Sequence, residues 1–411
     1  MEAEADFAPP RSGRQTAVIA GGRIGAAALS ALWLIVAARQ LTLDQFSDLA
    51  LVLALGSALF FLTDAGYSNL LSAHVAALGS IQRRAVTATI DRRIRGSIIA
   101  LVILVPGYLV AANDADPIIP LLFLGSLIGN AIHGSIVAAF RSIGHSRAEA
   151  TNEVVSRSLL LVVGWLWLSN GGGVEAAVIL YSLTDLASAV VLSIVGIRWI
   201  RAHAAPAEPL PDLHWRRALP IAIGSGFATI YGRLDTWLVA LLAPAGTSGI
   251  YAACYRITET LRLPAQASGA VTLADVGREG DDGLALARGR AFHYVGLTAI
   301  PATILVIGAE PILRLLFGHE FAAGAPILRV LALSSLASAV VSVLGPTVSV
   351  ATGRRYAIAV SVVTALNVVM NLILIPHLGG TGGAWANVAS EAALAGLLLA
   401  ALRNRQGLVN T

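Results

Sequence analysis

Lysine is missing altogether: all 28 basic residues of the chain are arginine. That excludes Schiff-base catalysis and a Walker-type phosphate loop, both of which use a lysine amine. Cysteine is almost missing. Cys254 is the only one, so there is no disulfide framework, zinc cluster or CxxC redox pair. Charge is scarce: charged residues make up 13 % of 411, against about 25 % in ordinary soluble domains. So few charges cannot clothe the surface of a 42.5 kDa globule. Disorder is excluded from the other side, because 56 % of residues are hydrophobic and disordered chains are poor in them. Polar stretches long enough to form a separate soluble domain are also lacking. No catalytic residue, metal or cofactor is therefore expected.

What is present is apolar sequence, with a mean hydropathy of +0.75. A helix needs roughly 20 apolar residues to cross the ~30 Å hydrocarbon core. Twelve runs qualify: 15–37, 47–68, 96–113, 117–140, 153–170, 174–197, 218–243, 248–273, 291–316, 325–351, 356–376 and 381–402. They are long and continuous, without period-two alternation, which excludes an all-β barrel. The pI of 9.6 does not point to nucleic acid, because the arginines punctuate apolar runs instead of forming a polar patch.

Arginine placement predicts the orientation. With the N-terminus in the cytoplasm, the inner segments hold 20 of the 28 arginines and the outer loops only Arg39. The resulting layout is a cytoplasmic tail (1–14), a six-helix bundle (15–197), a Pro-rich cytoplasmic linker (198–217), a second six-helix bundle (218–402) and a cytoplasmic tail (403–411). The tail 1–14 is polar and lacks a cleavage signature, so it does not read as a signal peptide. The predicted location is a bacterial inner membrane. The basic stretch 72–95 reads as an amphipathic helix on the inner leaflet. Trp199 and Trp215 suit an inner aromatic belt, and Trp165 and Trp167 an outer one.

A shift of the chain by about half its length aligns related features. Trp33 meets Trp237, GGGVEAA at 171–177 meets GGTGGAW at 379–385, and Asp185 falls on Glu391. Two parallel six-span halves with the substrate path between them are a recurring transporter design.

Several segments carry a family resemblance. RLDTWLVALLAPAGTSGIYAACYRITE at 233–259, ILRLLFGHEFAAGAPILRVLAL at 312–333, NVVMNLILIPHLGGTGGAWANVASE at 367–391 and LTDAGYSNLLSAHVA at 62–76 resemble the Wzx-like polysaccharide flippases of the multidrug/oligosaccharidyl-lipid/polysaccharide exporter superfamily. The resemblance spans essentially the whole chain. It implies an all-α fold of about twelve spans, with two six-helix bundles forming a MATE-like V. It also implies export of a lipid-linked oligosaccharide from the inner to the outer leaflet. Membrane lipids, a polysaccharide polymerase and glycosyltransferases would be its partners, and nucleic acid would not.

Seven arginines remain inside spans: Arg23, Arg157, Arg233, Arg256, Arg262, Arg314 and Arg329. Buried charge in a membrane is costly, so each faces protein or water. Arg157 stands four residues after Glu153 and reads as snorkelling with a helical ion pair. Glu310 and Arg314 read as an anchoring pair beside the outer loop. Arg256, Glu259, Arg262 and Gln266 share one arc of a helix at 100° per residue. That stripe lines a cavity or packs against another helix, and its surplus positive charge suits a diphosphate. Arg23, on a polar stripe of the first span, and Arg233 complete the expected headgroup site. Arg233 and Asp235 lie 200° apart, so one helix face cannot show both. The intramembrane carboxylates Asp64, Asp185, Asp235, Glu259 and Glu391 are candidates for binding a coupling proton or Na⁺, or for balancing an arginine. Thr364, Asn367 and Asn371 form a stripe suited to interhelical hydrogen bonds.

Four functions compete. The leading one is the lipid-linked oligosaccharide flippase, working by alternating access. The alternative is an ion-coupled drug or metabolite antiporter, for which a more acidic or aromatic pore is expected. A membrane glycosyltransferase would need large outer loops, and a scaffold would have a dry interior.

Overall fold

The computed structural model describes residues 12–78, 81–112, 116–142, 147–202, 233–279, 281–352 and 354–409. Some side chains within these ranges, Arg23 among them, lie outside the description, as do most of the linker and the start of the seventh run. Every regular element described is helical, as expected. In chain order they are α1 (Ser12–Gln40), α2 (Leu43–Asp64), α3 (Tyr67–Leu78), α4 (Arg83–Ala111), α5 (Ile118–Leu122), α6 (Leu124–Ser142), α7 (Arg147–Ser169) and α8 (Val174–Ala202). The described part of α9 covers 233–242. Then come α10 (Thr247–Glu279), α11 (Asp281–Ile307), α12 (Ala309–Leu316), a short 3₁₀ turn (His319–Gly324), α13 (Ala325–Thr352), α14 (Arg354–Leu378) and α15 (Gly380–Val409).

Eight segments are long and apolar enough to cross a membrane among the described residues. Hydrocarbon offers no hydrogen-bonding partner, so such segments must satisfy their backbone internally, as helices do. α7 shows how the faces sort. Val155, Leu159, Val162 and Leu166 are exposed along one stripe, whereas Ser156, Leu160, Gly164 and Leu168 are buried. The outward stripe is wholly aliphatic, and the small Ser156 and Gly164 lie on the buried side beside Leu160 and Leu168, where small residues let helices approach. Gly164 lies so near the buried Trp33 of α1 that a Cβ there would stand 2.1 Å from the indole ring. Trp165 and Trp167 are exposed at the C-terminal end of α7, while Trp199 and Trp215 fall outside the described side chains.

The chain divides into two compact units. The first comprises 1–41 and 52–230, the second 42–51 and 231–411. The early part of α2 thus packs with the second unit. Ser47 Oγ donates to the Gly246 carbonyl at 3.2 Å, and the Gly249 amide donates to Ser47 Oγ at 3.1 Å. Gly246 turns the chain from α9 into α10 at φ +78°, a conformation that favours glycine. Within the first unit α1 packs on α7, α4 on α6, α6 on α8 and α7 on α8. Within the second, α10 packs on α11 and α13, α11 on α13, and α15 on both α13 and α14.

The structure corrects the reading of 72–95. Among the described residues no single amphipathic helix covers it: α3 ends at Leu78, and α4 runs unbroken from Arg83 to Ala111. The basic residues are the first turns of a spanning helix. Arg93 is consequently not a loop residue. It is 3 % exposed, 3.5 Å from Asp64, and donates to Ser68 Oγ at 2.8 Å and to the Asn130 carbonyl at 3.2 Å. Hydropathy alone cut α4 at its buried arginine because the partners sit on other helices.

Candidate functional site

In the second unit, polar groups gather where five apolar helices meet. α9 contributes Arg233 and Asp235, two residues apart and therefore on different faces. Arg233 turns to α10, where its Nη2 bonds Glu259 at 3.1 Å. Arg256 reaches the same carboxylate at 2.7 Å, one helical turn back. Arg262, two turns along α10 from Tyr255, lies over that ring at 5.3 Å and pairs with Glu391 of α15 at 3.4 Å. Three guanidiniums thus converge on two carboxylates. The stripe predicted on α10 is present for Arg256, Glu259 and Arg262. Gln266 is exposed, one turn beyond the ion pairs.

Asp235 takes the other direction. It is 1 % exposed and accepts hydrogen bonds from Asn371 Nδ2 (2.8 Å), Asn387 Nδ2 (3.0 Å) and the Tyr251 hydroxyl (3.2 Å). Asn387 is fixed in turn by Ser334, which donates to its Oδ1 at 2.6 Å. Asn371 also reaches Asn367 of its own helix, so the asparagines of the predicted α14 stripe gather at Asp235, while Thr364 donates to the Val360 carbonyl of its own helix. Among the described residues, Asp235 differs from the other four candidate carboxylates in that no arginine pairs with it. Tyr251 stacks on Tyr255, 6.3 Å between centroids. The carboxylate web therefore continues directly into the arginine cluster.

In the first unit, a pocket of about 260 Å³ opens among α1, α2, α6, α7 and α8. Its centre is an ion pair that the sequence reading missed. Arg157 does not snorkel on Glu153 alone. Its Nη2 lies 3.0 Å from Asp185 of α8, and its guanidinium sits over Tyr181 at 5.0 Å. Asp185 also accepts from the Ser126 hydroxyl at 2.5 Å. Tyr181 stacks on Phe123, and Phe123 on Phe60. His133, Asn130, Glu153, Ser30, Ser156 and Ser188 add to the polar lining. The helical i,i+4 spacing of Glu153 and Arg157 obscured the longer-range partner. Tyr181 and Asp185 on one face of α8 were the available clue, since a ring and a carboxylate one turn apart form a seat for a cation. Asp64, in the same unit, is the partner of Arg93. Arg23 lies outside the described side chains. Glu310 and Arg314 form the expected pair at 2.7 Å.

The fold is shared with known transporters. An inward-facing multidrug resistance MATE family transporter of the MOP superfamily superposes with a TM-score of 0.67 at 14 % identity, covering 93 % of this chain and 94 % of that one. The lipid II flippase MurJ gives 0.71 at 14 %, covering 94 % and 87 %. A MOP superfamily transporter from Pyrococcus furiosus, described as having a binding pocket of reversed polarity, gives 0.67 at 14 %, covering 97 % and 96 %. The architecture is thus that of the MOP transporters, a multi-pass helical membrane fold. Residues 12–272 match the family described as "Polysaccharide biosynthesis protein", and the chain belongs to that family. No curated protein matches the sequence.

Proposed function

We propose that the protein is a flippase that moves a polyprenyl-diphosphate-linked oligosaccharide from the inner to the outer leaflet of a bacterial inner membrane, by alternating access between two helical bundles, with both termini in the cytoplasm. The observation that carries this reading is the clustering of arginine in the second unit: Arg233, Arg256 and Arg262 converge on Glu259 and Glu391 among apolar helices. A diphosphate supplies the missing negative charge, and guanidinium forks bind phosphate oxygens bidentately. Gln266, one turn further along α10, completes the proposed headgroup site; Arg23, expected there from the sequence, lies outside the described side chains. Membership of a polysaccharide biosynthesis family supports a glycan cargo. A polymerase and glycosyltransferases would then act beside it, and the protein itself would do no covalent chemistry.

Asp235 is the proposed coupling group. Asp64, Asp185, Glu259 and Glu391 each balance an arginine, which occupies their charge. Asp235 is held by neutral amides and a phenol, so its charge remains for a proton or Na⁺. A drug antiporter is the competing reading, and the basic excess of the cluster disfavours cationic cargo.

The test is export in cells carrying Arg256→Gln/Arg262→Gln. Loss of surface glycan with accumulation of the lipid-linked precursor on the inner leaflet is expected. Full export by the double variant overturns the headgroup assignment.

A further inference from the structure

We propose that the first-unit pocket is a binding subsite for one neutral pyranose ring, separate from the arginine cluster that serves the diphosphate. This rests on the flippase reading above and adds where a sugar would be held. The pocket is lined by both hydrogen-bond donors and acceptors. Arg157 spends one nitrogen on Asp185 and one face on Tyr181, while its Nη1 is buried without a hydrogen-bond partner. His133 Nε2 is likewise buried and unpartnered. Both nitrogens belong to residues that line this one pocket, and buried polar atoms usually find partners. The carboxylates of Asp185 and Glu153 line the same pocket.

This mixture selects for a group that both gives and takes hydrogen bonds. A sugar hydroxyl can donate to a carboxylate oxygen and accept from Arg157 or His133 at the same time. A phosphate can only accept, and here it would face two carboxylates. A simple cation could use the carboxylates but would face the Arg157 guanidinium. Phe60, Ala26 and Ala27 supply an apolar wall, which suits the C–H face of a pyranose. The volume of about 260 Å³ falls just under the ~300–1,000 Å³ of drug-sized sites, which gives room for one ring and not for a chain. Arg157 is preset by its salt bridge and by the stack Tyr181–Phe123–Phe60, so little ordering is needed on binding.

Saturation-transfer NMR on the full chain in nanodiscs tests this. The probes are glucose, galactose, mannose and N-acetylglucosamine, with inorganic pyrophosphate and tetraphenylphosphonium as competitors. At least one hexose should show transfer. His133→Ala should weaken it about tenfold, the scale of one hydrogen bond. Ala27→Trp, which fills the pocket while leaving its polar groups intact, should abolish it, and Glu310→Ala should leave it unchanged. No transfer from any hexose, or transfer indifferent to both pocket variants, overturns the subsite. So does displacement of the hexose by pyrophosphate, which would make the pocket an anion site, or by tetraphenylphosphonium, which would make it a cation site. The flippase reading stands or falls separately, on export by Arg256→Gln/Arg262→Gln.

Discussion

The two units solve the same problem differently. Each buries carboxylates among apolar helices, where an isolated charge is expensive. In the first unit Asp64 and Asp185 are each matched with an arginine from another helix. In the second unit Glu259 and Glu391 follow that pattern, but Asp235 is surrounded by Asn371, Asn387 and Tyr251. An ion pair is complete by itself. A carboxylate held by neutral donors keeps its charge available to a visitor. The contrast separates carboxylates paired with arginine from one held by neutral donors, the one proposed above as the coupling group.

The largest expected effect comes from breaking a pair on one side. Arg262→Ala strands Glu391, which is 3 % exposed, and should destabilise the protein by ~3–5 kcal/mol. Thermal unfolding in detergent measures it. Arg157→Ala should behave alike in the first unit. The double variant Arg262→Met/Glu391→Leu should recover most of the loss, because removing both charges leaves nothing stranded.

A smaller effect is expected at the web. Asn387→Ala removes one of three donors to Asp235 and should cost ~1–3 kcal/mol. If it costs as much as Arg262→Ala, the distinction between the two kinds of site collapses. Asp235→Asn sharpens the comparison further. Its amide nitrogen cannot accept, so it should cost about as much stability as Asn387→Ala, yet abolish any dependence of export on the Na⁺ or proton gradient. Asp185→Asn, by contrast, should act on stability first. Gly164→Ala forces a methyl onto Trp33 and should cost ~1–3 kcal/mol by overpacking. The smallest effect belongs to Glu310→Ala. That pair is half exposed on both sides and should change stability by less than ~1 kcal/mol.

The all-helical membrane fold was legible from run length and composition, because a bilayer imposes one dominant rule on the backbone. The α10 stripe of Arg256, Glu259 and Arg262 was equally legible, since helical periodicity places residues of one element on one face. What sequence could not show was which helix supplies the partner. Arg93 was read as a loop residue and Arg157 as snorkelling beside Glu153 because Asp64 and Asp185 stand far away in the chain. The division of labour between Arg233 and Asp235 needed coordinates for the same reason. Periodicity said that they diverge, and only packing says that Glu259 takes the first while the α14 and α15 asparagines take the second.

Cys254 is buried on α10, its thiol 3.5 Å from the Gly324 carbonyl. With no lysine elsewhere, the folded chain is nearly silent to maleimides and to amine-directed reagents. A single cysteine introduced at Ser30 or Gln266 would therefore report alone. Its labelling rate with and without cargo would show when each place sees water, against a background that needs no further mutation.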